Sequence, residues 1–136
     1  MPVLKTFLVE DSPLIQQSLV ATLEELTPVR VVGMAEDEWQ AVQWLLQPTH
    51  DRHLVIVDIF LKRGSGLGVL KAAQTATNPH TLVVLSNYAT KDMRTTCLAL
   101  GAQRVFDKST EIEALIQYCS ELASRESDTA PQGLGA

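Results

Sequence analysis

Basic residues are in the minority in this chain: 11 lysines and arginines stand against 16 aspartates and glutamates, a formal net charge of −5. That balance argues against nucleic acid as a direct partner, because binding phosphates needs a positive surface. Cysteine is scarce as well. Cys97 and Cys119 show neither a CxxC nor a Cys/His metal spacing and fall inside helical patterns, so they read as free buried thiols in a reducing compartment. Long hydrophobic runs are missing; stretches such as Leu54–Leu61 fall well short of the roughly 20 residues a spanning helix needs. The opening Met1-Pro2-Val3-Leu4-Lys5 has no basic region followed by an apolar stretch, as a signal peptide would. No internal repeat or low-complexity block is present. These absences set the expectation of a soluble cytoplasmic domain with no membrane association.

What is there is a core of ordinary size. The 136 residues fit one domain, and a hydrophobic fraction of 46% fills it without disulfides or a structural metal. Two kinds of segment alternate. Leu4–Val9, Val29–Met34, Leu54–Ile59, Thr81–Leu85 and Arg104–Phe106 are short runs rich in Val, Leu, Ile and Phe, which read as strands. The unbroken Leu54-Val55-Ile56-Val57 suggests a strand covered on both faces, as in a parallel sheet between helices. Helical patterns lie between them. Ser12-Pro13 reads as a cap with proline at the first helical position, followed by Ile15, Leu19, Leu23 and Leu26 on one face. Glu38–Leu46 brings Val42, Leu45 and Leu46 together; Leu67–Ala76 follows the glycine-containing Gly64–Gly68; Lys91–Leu100 stops before Gly101. In the last helix Ile112, Leu115, Ile116, Cys119, Leu122 and Ala123 recur at helical spacing, with Ser109 or Thr110 as cap. Strict alternation of strand and helix implies a three-layer α/β fold with a parallel sheet. Residues 125–136 lack apolar periodicity and read as a disordered tail or the start of a linker, leaving 1–124 as the domain.

Ligands of open α/β sheets bind beyond the carboxyl ends of the strands, so the residues that follow each strand carry the chemistry. Glu10 and Asp11 follow the first strand, Asp58 the third, Ser86 the fourth and Lys108 the fifth. Taken singly, each has a bland reading: acids at loop starts cap helices or face water, a lone lysine sits on the surface, and a lone serine bonds its own turn. Asp58 is harder to dismiss, because it interrupts an apolar run, and a bare buried carboxylate is costly. As a set they are chemically coherent. Clustered carboxylates call for a hard divalent cation, with Mg²⁺ taking oxygens from Asp11, Asp58 and a backbone carbonyl while Glu10 holds one of its waters. Asp58, so compensated, is a nucleophile toward phosphorus, and Lys108 and the Ser86 hydroxyl contact the phosphoryl oxygens.

Val3 to Ser124 resembles the receiver domain of two-component response regulators. The residues that carry the likeness are Phe7-Leu8-Val9-Glu10-Asp11-Ser12, Val55-Ile56-Val57-Asp58 with Gly66 eight positions on, Val83-Val84-Leu85-Ser86, and Gly101-Ala102 leading to Phe106-Asp107-Lys108-Ser109. The resemblance implies a doubly wound, CheY-like (flavodoxin-like) five-stranded sheet in the order 2-1-3-4-5. It also implies Mg²⁺ at Glu10, Asp11, Asp58 and the backbone of Phe60, phosphorylation of Asp58, and phosphoryl contacts from Ser86 and Lys108. The implied partners are a sensor histidine kinase or phosphotransfer protein, a downstream protein on the Lys91–Ser124 surface with Met93, Leu98 and Tyr118 as candidate contacts, and a phosphorylation-dependent dimer. Four positions depart from the family pattern: Lys62 stands where proline is frequent, Asn87 where a small residue is usual, Val105 where a switch aromatic is usual, and Ser109 where proline is common. Phe106 cannot replace that aromatic, because neighbours on a strand point to opposite faces. Three other classes compete. A haloacid-dehalogenase-type phosphatase needs an acid two residues after its nucleophile, where this chain has Phe60. A flavin or nucleotide module wants a glycine- and hydroxyl-rich loop after the first strand, where Glu10-Asp11 would repel phosphate. A pseudo-receiver that only binds partners would not need Glu10, Asp11, Asp58, Ser86 and Lys108 together.

Overall fold

The apolar runs become five parallel strands. A computed structural model describes residues 3–49, 53–76 and 79–135, with side chains described through Arg125. Along the chain lie β1 (Leu4–Val9), α1 (Pro13–Leu26), β2 (Val29–Ala35), α2 (Glu38–Leu45), β3 (Leu54–Val57), α3 (Gly66–Ala73), β4 (Thr81–Ser86), α4 (Lys91–Ala99), β5 (Arg104–Asp107) and α5 (Ile112–Gly135). The sheet order is β2-β1-β3-β4-β5, as the resemblance implies. Every pairing of consecutive neighbours is parallel.

Period-two alternation divides each strand between two cores. Val55 and Val57 join Phe7, Val9, Val84 and Val105 on the face that also buries Ala41 and Leu45 of α2, Val69 and Leu70 of α3 and Cys97 of α4. Leu54 and Ile56 join Leu8, Val83, Leu85 and Phe106 on the face that buries Leu19 and Leu23 of α1 and Leu115, Tyr118 and Cys119 of α5. All four β3 side chains are therefore buried, each worth roughly 1.5–3 kcal/mol of apolar burial. Val105 and Phe106 fall on opposite faces, as neighbouring strand residues must.

Local signals set several helix starts. The Ser12 side chain accepts from Ile15 N at 3.3 Å with Pro13 at the first helical position. Elsewhere tertiary contacts move the ends. β3 stops at Val57, short of the expected Ile59, because its pairing with β1 and β4 ends with Val9 and Val84. α3 closes at Ala73, three residues before Ala76, and Gln74 reaches across to bond the Leu100 carbonyl. In α2, Ala41 and Leu45 are the buried residues, whereas Leu46 caps the helix and is exposed. The expected cap of α5 is also displaced. Ser109 and Thr110 donate to Asp107 Oδ1, and Glu111 is the residue that enters the helix. The α5 backbone stays helical from Ser124 to Gly135, where the composition suggested a disordered tail. Arg125-Glu126-Ser127-Asp128-Thr129-Ala130 contains no glycine or proline to stop propagation from the packed turns before it, whereas Pro131 and Gly133 lie within the helix against their own propensity.

Candidate functional site

All the predicted site residues meet at the carboxyl edge of the sheet. Asp58 leaves the sheet directly after β3, and its N–H donates to Val9 O at 2.9 Å, so the start of its loop is fixed by β1. Asp58 and Glu10 are buried, and Ser86 is fully so at the end of β4. Lys108, one residue beyond β5, is drawn in by its own backbone: its N–H donates to Ser86 O at 3.0 Å. From there its Nζ donates to Asp58 Oδ2 at 3.0 Å and to Glu10 Oε1. Carboxylate oxygens of Glu10, Asp11 and Asp58 all lie within 4.8 Å of one another. The buried carboxylate that the sequence said must have a partner has one.

The local geometry assigns distinct surroundings to the three acids. Both Glu10 oxygens are engaged, Oε1 by Lys108 and Oε2 by the Ser12 N–H at 3.1 Å. Its backbone carbonyl accepts from the buried Gln16 side chain at 2.6 Å. Asp11 is half-buried, and its Oδ2 accepts from Lys62 N at 2.7 Å. Asp58 Oδ1 accepts from Phe60 N at 3.3 Å. Burial raises the Glu10 carboxyl above its ordinary range, and the hydrogen bond and charge of Lys108 only partly offset it. Lys108 is raised as well: burial lowers it, but the hydrogen bonds and charges of Glu10 and Asp58 together outweigh that and hold the ammonium charged. The two directions agree because the single ammonium is shared between two carboxylates, with Asp11 adding a third negative group beside them. Oxygen donors with surplus negative charge suit a hard divalent cation, so the residues fit Mg²⁺.

Ser86 Oγ accepts from Tyr88 N at 3.2 Å, the turn bond expected of a serine there. Phe60 is half-exposed, and its ring meets Tyr88 edge-on at 5.3 Å between centroids. Every described peptide bond is trans, Lys108–Ser109 included. Gly66 is explained by close approach: a Cβ there would collide with Asp58 O, while its N–H donates to Ile59 O at 2.9 Å.

Three contributors were not read from the sequence. Gln16 carries no local signal in the sequence, lying between the apolar positions Ile15 and Leu19 of α1. Lys62 was noted only as a missing proline, yet that absence supplies the N–H on Asp11 that proline lacks, so the departure itself was the signal. Arg94 of α4 ties three places together, donating to Ala89 O at 3.0 Å, Val105 O at 2.8 Å and Glu111 Oε1 at 2.5 Å. Nothing in the local sequence of α4 marks it.

A doubly wound parallel sheet with an acidic pocket and a lysine at its carboxyl edge defines a phosphoacceptor signalling domain. Residues 6–120 match the family model of the response regulator receiver domain, and the chain belongs to that family, whose members are phosphorylated on an aspartate. Among relatives, the chain is 30% identical over 109 residues to protein-glutamate methylesterase/protein-glutamine glutaminase 1 of Pseudomonas savastanoi pv. phaseolicola, covering 79% of this chain and 30% of that protein. It spans about a third of the length of the curated relatives it matches. The response regulator domain of Thermotoga maritima CheB superposes with a TM-score of 0.70 at 20% identity, covering 98% of each chain. A response regulator protein of Burkholderia pseudomallei, with a phosphorylated aspartic acid and a calcium ion, gives 0.69 at 19% identity, covering 93% of this chain and 72% of that one. Partners of the family are phosphodonor histidine kinases or phosphotransfer proteins. Among the described residues no helix is long and apolar enough to cross a membrane.

Proposed function

We propose that Asp58 is the phosphoryl acceptor and that residues 1–124 form the receiver, with 125–136 leading out of it. The carrying observation is the buried Asp58 carboxylate, held 3.0 Å from Lys108 Nζ and sharing a pocket with Glu10 and Asp11. An Asp58 oxygen attacks phosphorus of the donor; the new O–P bond forms as the bond to the donor's leaving group breaks, giving an acyl phosphate. Lys108 moves from balancing the free carboxylate to neutralising the phosphoryl oxygens, and the Ser86 hydroxyl turns from Tyr88 N toward them. Asp11, Asp58 and the Phe60 carbonyl, with Glu10 in support, would hold a Mg²⁺ ion, which would supply neutralisation of the remaining oxygen charge. That the Burkholderia pseudomallei protein contains both a phosphorylated aspartic acid and a calcium ion supports this reading.

The domain acts as a switch and not as an enzyme on outside substrates: it catalyses only its own phosphorylation and dephosphorylation. A histidine kinase or phosphotransfer protein in the cytoplasm supplies the group, and the Lys91–Ser124 surface passes the change to a protein partner or to a second copy. Leu98 is exposed there, while Tyr118 is buried against Phe106 and serves packing. Incubation with acetyl phosphate and Mg²⁺ should add one phosphoryl group by intact-protein mass spectrometry, and Asp58→Asn should abolish it. Persistent single modification of the variant would contradict the assignment.

A further inference from the structure

The loop between β3 and α3 carries Phe60 and Lys62, whose amides sit on Asp58 and Asp11. Its far end is held by a residue that belongs to another element. Glu38 opens α2, yet its carboxylate turns to this loop: Oε1 accepts from Ser65 N at 2.8 Å, and the Glu38 N–H donates to Arg63 O at 3.2 Å. Two glycines make room for it. A Cβ at Gly68 would collide with Glu38 Oε2, and one at Gly64, where φ is +81°, would collide with Glu38 Cβ. The loop is pinched between these ends by an antiparallel bridge from Phe60 to Ser65.

We propose that Glu38 is a positioning residue for the phosphorylation site, latching residues 63–65 so that the Lys62 amide stays on Asp11 and the Phe60 amide on Asp58. The proposal rests on the reading of Asp58, Asp11 and a divalent cation given above. Its physical basis is local. The Glu38 oxygen accepts from the Ser65 N–H and fixes the far end of the loop, and Gly64 without a latch is free to leave its left-handed conformation. Release at Ser65 lets the hinge at Gly64 open, and Lys62 N then withdraws from Asp11. A bland role exists for the same residue, since an acid in the first turn of α2 stabilises that helix through its dipole. The two roles part on substitution. Glu38→Gln keeps an oxygen to accept from Ser65 and loses the charge, so it should preserve a latch and forfeit a dipole contribution.

Amide hydrogen exchange without added ion tests the latch directly. In Glu38→Ala the Lys62 amide should exchange at least tenfold faster while β3 amides keep their protection, and Glu38→Gln should stay near the parent. Mg²⁺ titration by calorimetry should show a loss of about tenfold in affinity for Glu38→Ala, the low end of what outer-shell partners cost. Gly68→Ala, although it favours the helix, should reproduce the faster Lys62 exchange in the parent and add nothing in the Glu38→Ala background. Unchanged Lys62 exchange in Glu38→Ala, or equal acceleration in Glu38→Gln, would overturn the latch. Unchanged Mg²⁺ affinity with faster exchange would overturn its link to the site. A parent protein that takes up no Mg²⁺ would instead refute the cation reading, with the exchange result still deciding the latch.

Discussion

Glu10 and Asp11 are sequence neighbours with different work. Both Glu10 oxygens are spent on Lys108 and Ser12, whereas Asp11 is half-buried with Lys62 N on Oδ2. Asp11→Asn should therefore cost more Mg²⁺ affinity than Glu10→Gln in a calorimetric titration; equal losses would contradict the ordering. Phe60 and Tyr88 meet edge to face, and with Asp58 as the proposed acceptor the pair is expected to hinder the water that must approach in line behind phosphorus. Phe60→Asn with Tyr88→Glu should speed loss of radiolabelled phosphate by roughly tenfold, or ~1.4 kcal/mol of barrier. An unchanged or slower decay leaves the pair as packing residues. Cys119 offers a pH prediction. Burial raises its thiol to about 12, so the folded state keeps a proton the unfolded state gives up near the ordinary value of 9. The stability this contributes is fully present below pH 9 and is lost as pH rises through the folded value. Between pH 8 and 10.5 the parent should lose about 2 kcal/mol more than Cys119→Ala in denaturant titrations, at 1.36 kcal/mol per unit. Parallel losses would show that the thiol is already ionised or exposed.

Between elements, α4 and β5 are joined by Arg94, which bonds the Ala89 carbonyl in the β4–α4 connection, the Val105 carbonyl in β5 and the Glu111 carboxylate before α5. Glu111 in turn accepts from Asp107 N at 2.9 Å, one residue from Lys108. This bracket stands where the family usually has an aromatic, and Val105 is packed in the core with no ring to rotate. Arg94→Ala should cost roughly 1–2 kcal/mol in denaturant midpoint, below a fully buried charged network because the pair is about one-third exposed. Beryllofluoride should shift amide resonances along α4 in the parent and much less in Arg94→Ala; an identical response would remove Arg94 from the path. At this scale the sequence was partly legible. Ser12-Pro13 announced α1 because a cap is local. The entrance to α5 was misread because Arg94, 17 residues away, and the Asp107 backbone decide it. Glu38 was passed over for the same reason, since Ser65 lies 27 residues on.

Over the whole molecule, alternation of apolar runs with helical patterns was enough for a parallel α/β sheet, and near-continuous burial of β3 confirmed a strand covered on both faces. Strand order was not in the periodicity; it came from the motif likeness, and β2-β1-β3-β4-β5 agrees. The acidic cluster was legible because the fold sends the carboxyl ends of neighbouring strands to one crevice, where Glu10, Asp11, Asp58 and Lys108 converge. What escaped were the backbone donors, Lys62 N on Asp11 and Phe60 N on Asp58, because any non-proline residue can supply them. The central claim is that one particular carboxylate in that cluster carries the phosphoryl group. Borohydride reduces an acyl phosphate to an alcohol and leaves free carboxylates untouched, so reduction after acetyl phosphate treatment followed by peptide mass spectrometry locates the acceptor. The account predicts conversion at position 58 alone, dependent on Mg²⁺. Conversion at Asp11 or Glu10, or none at any position, would contradict it.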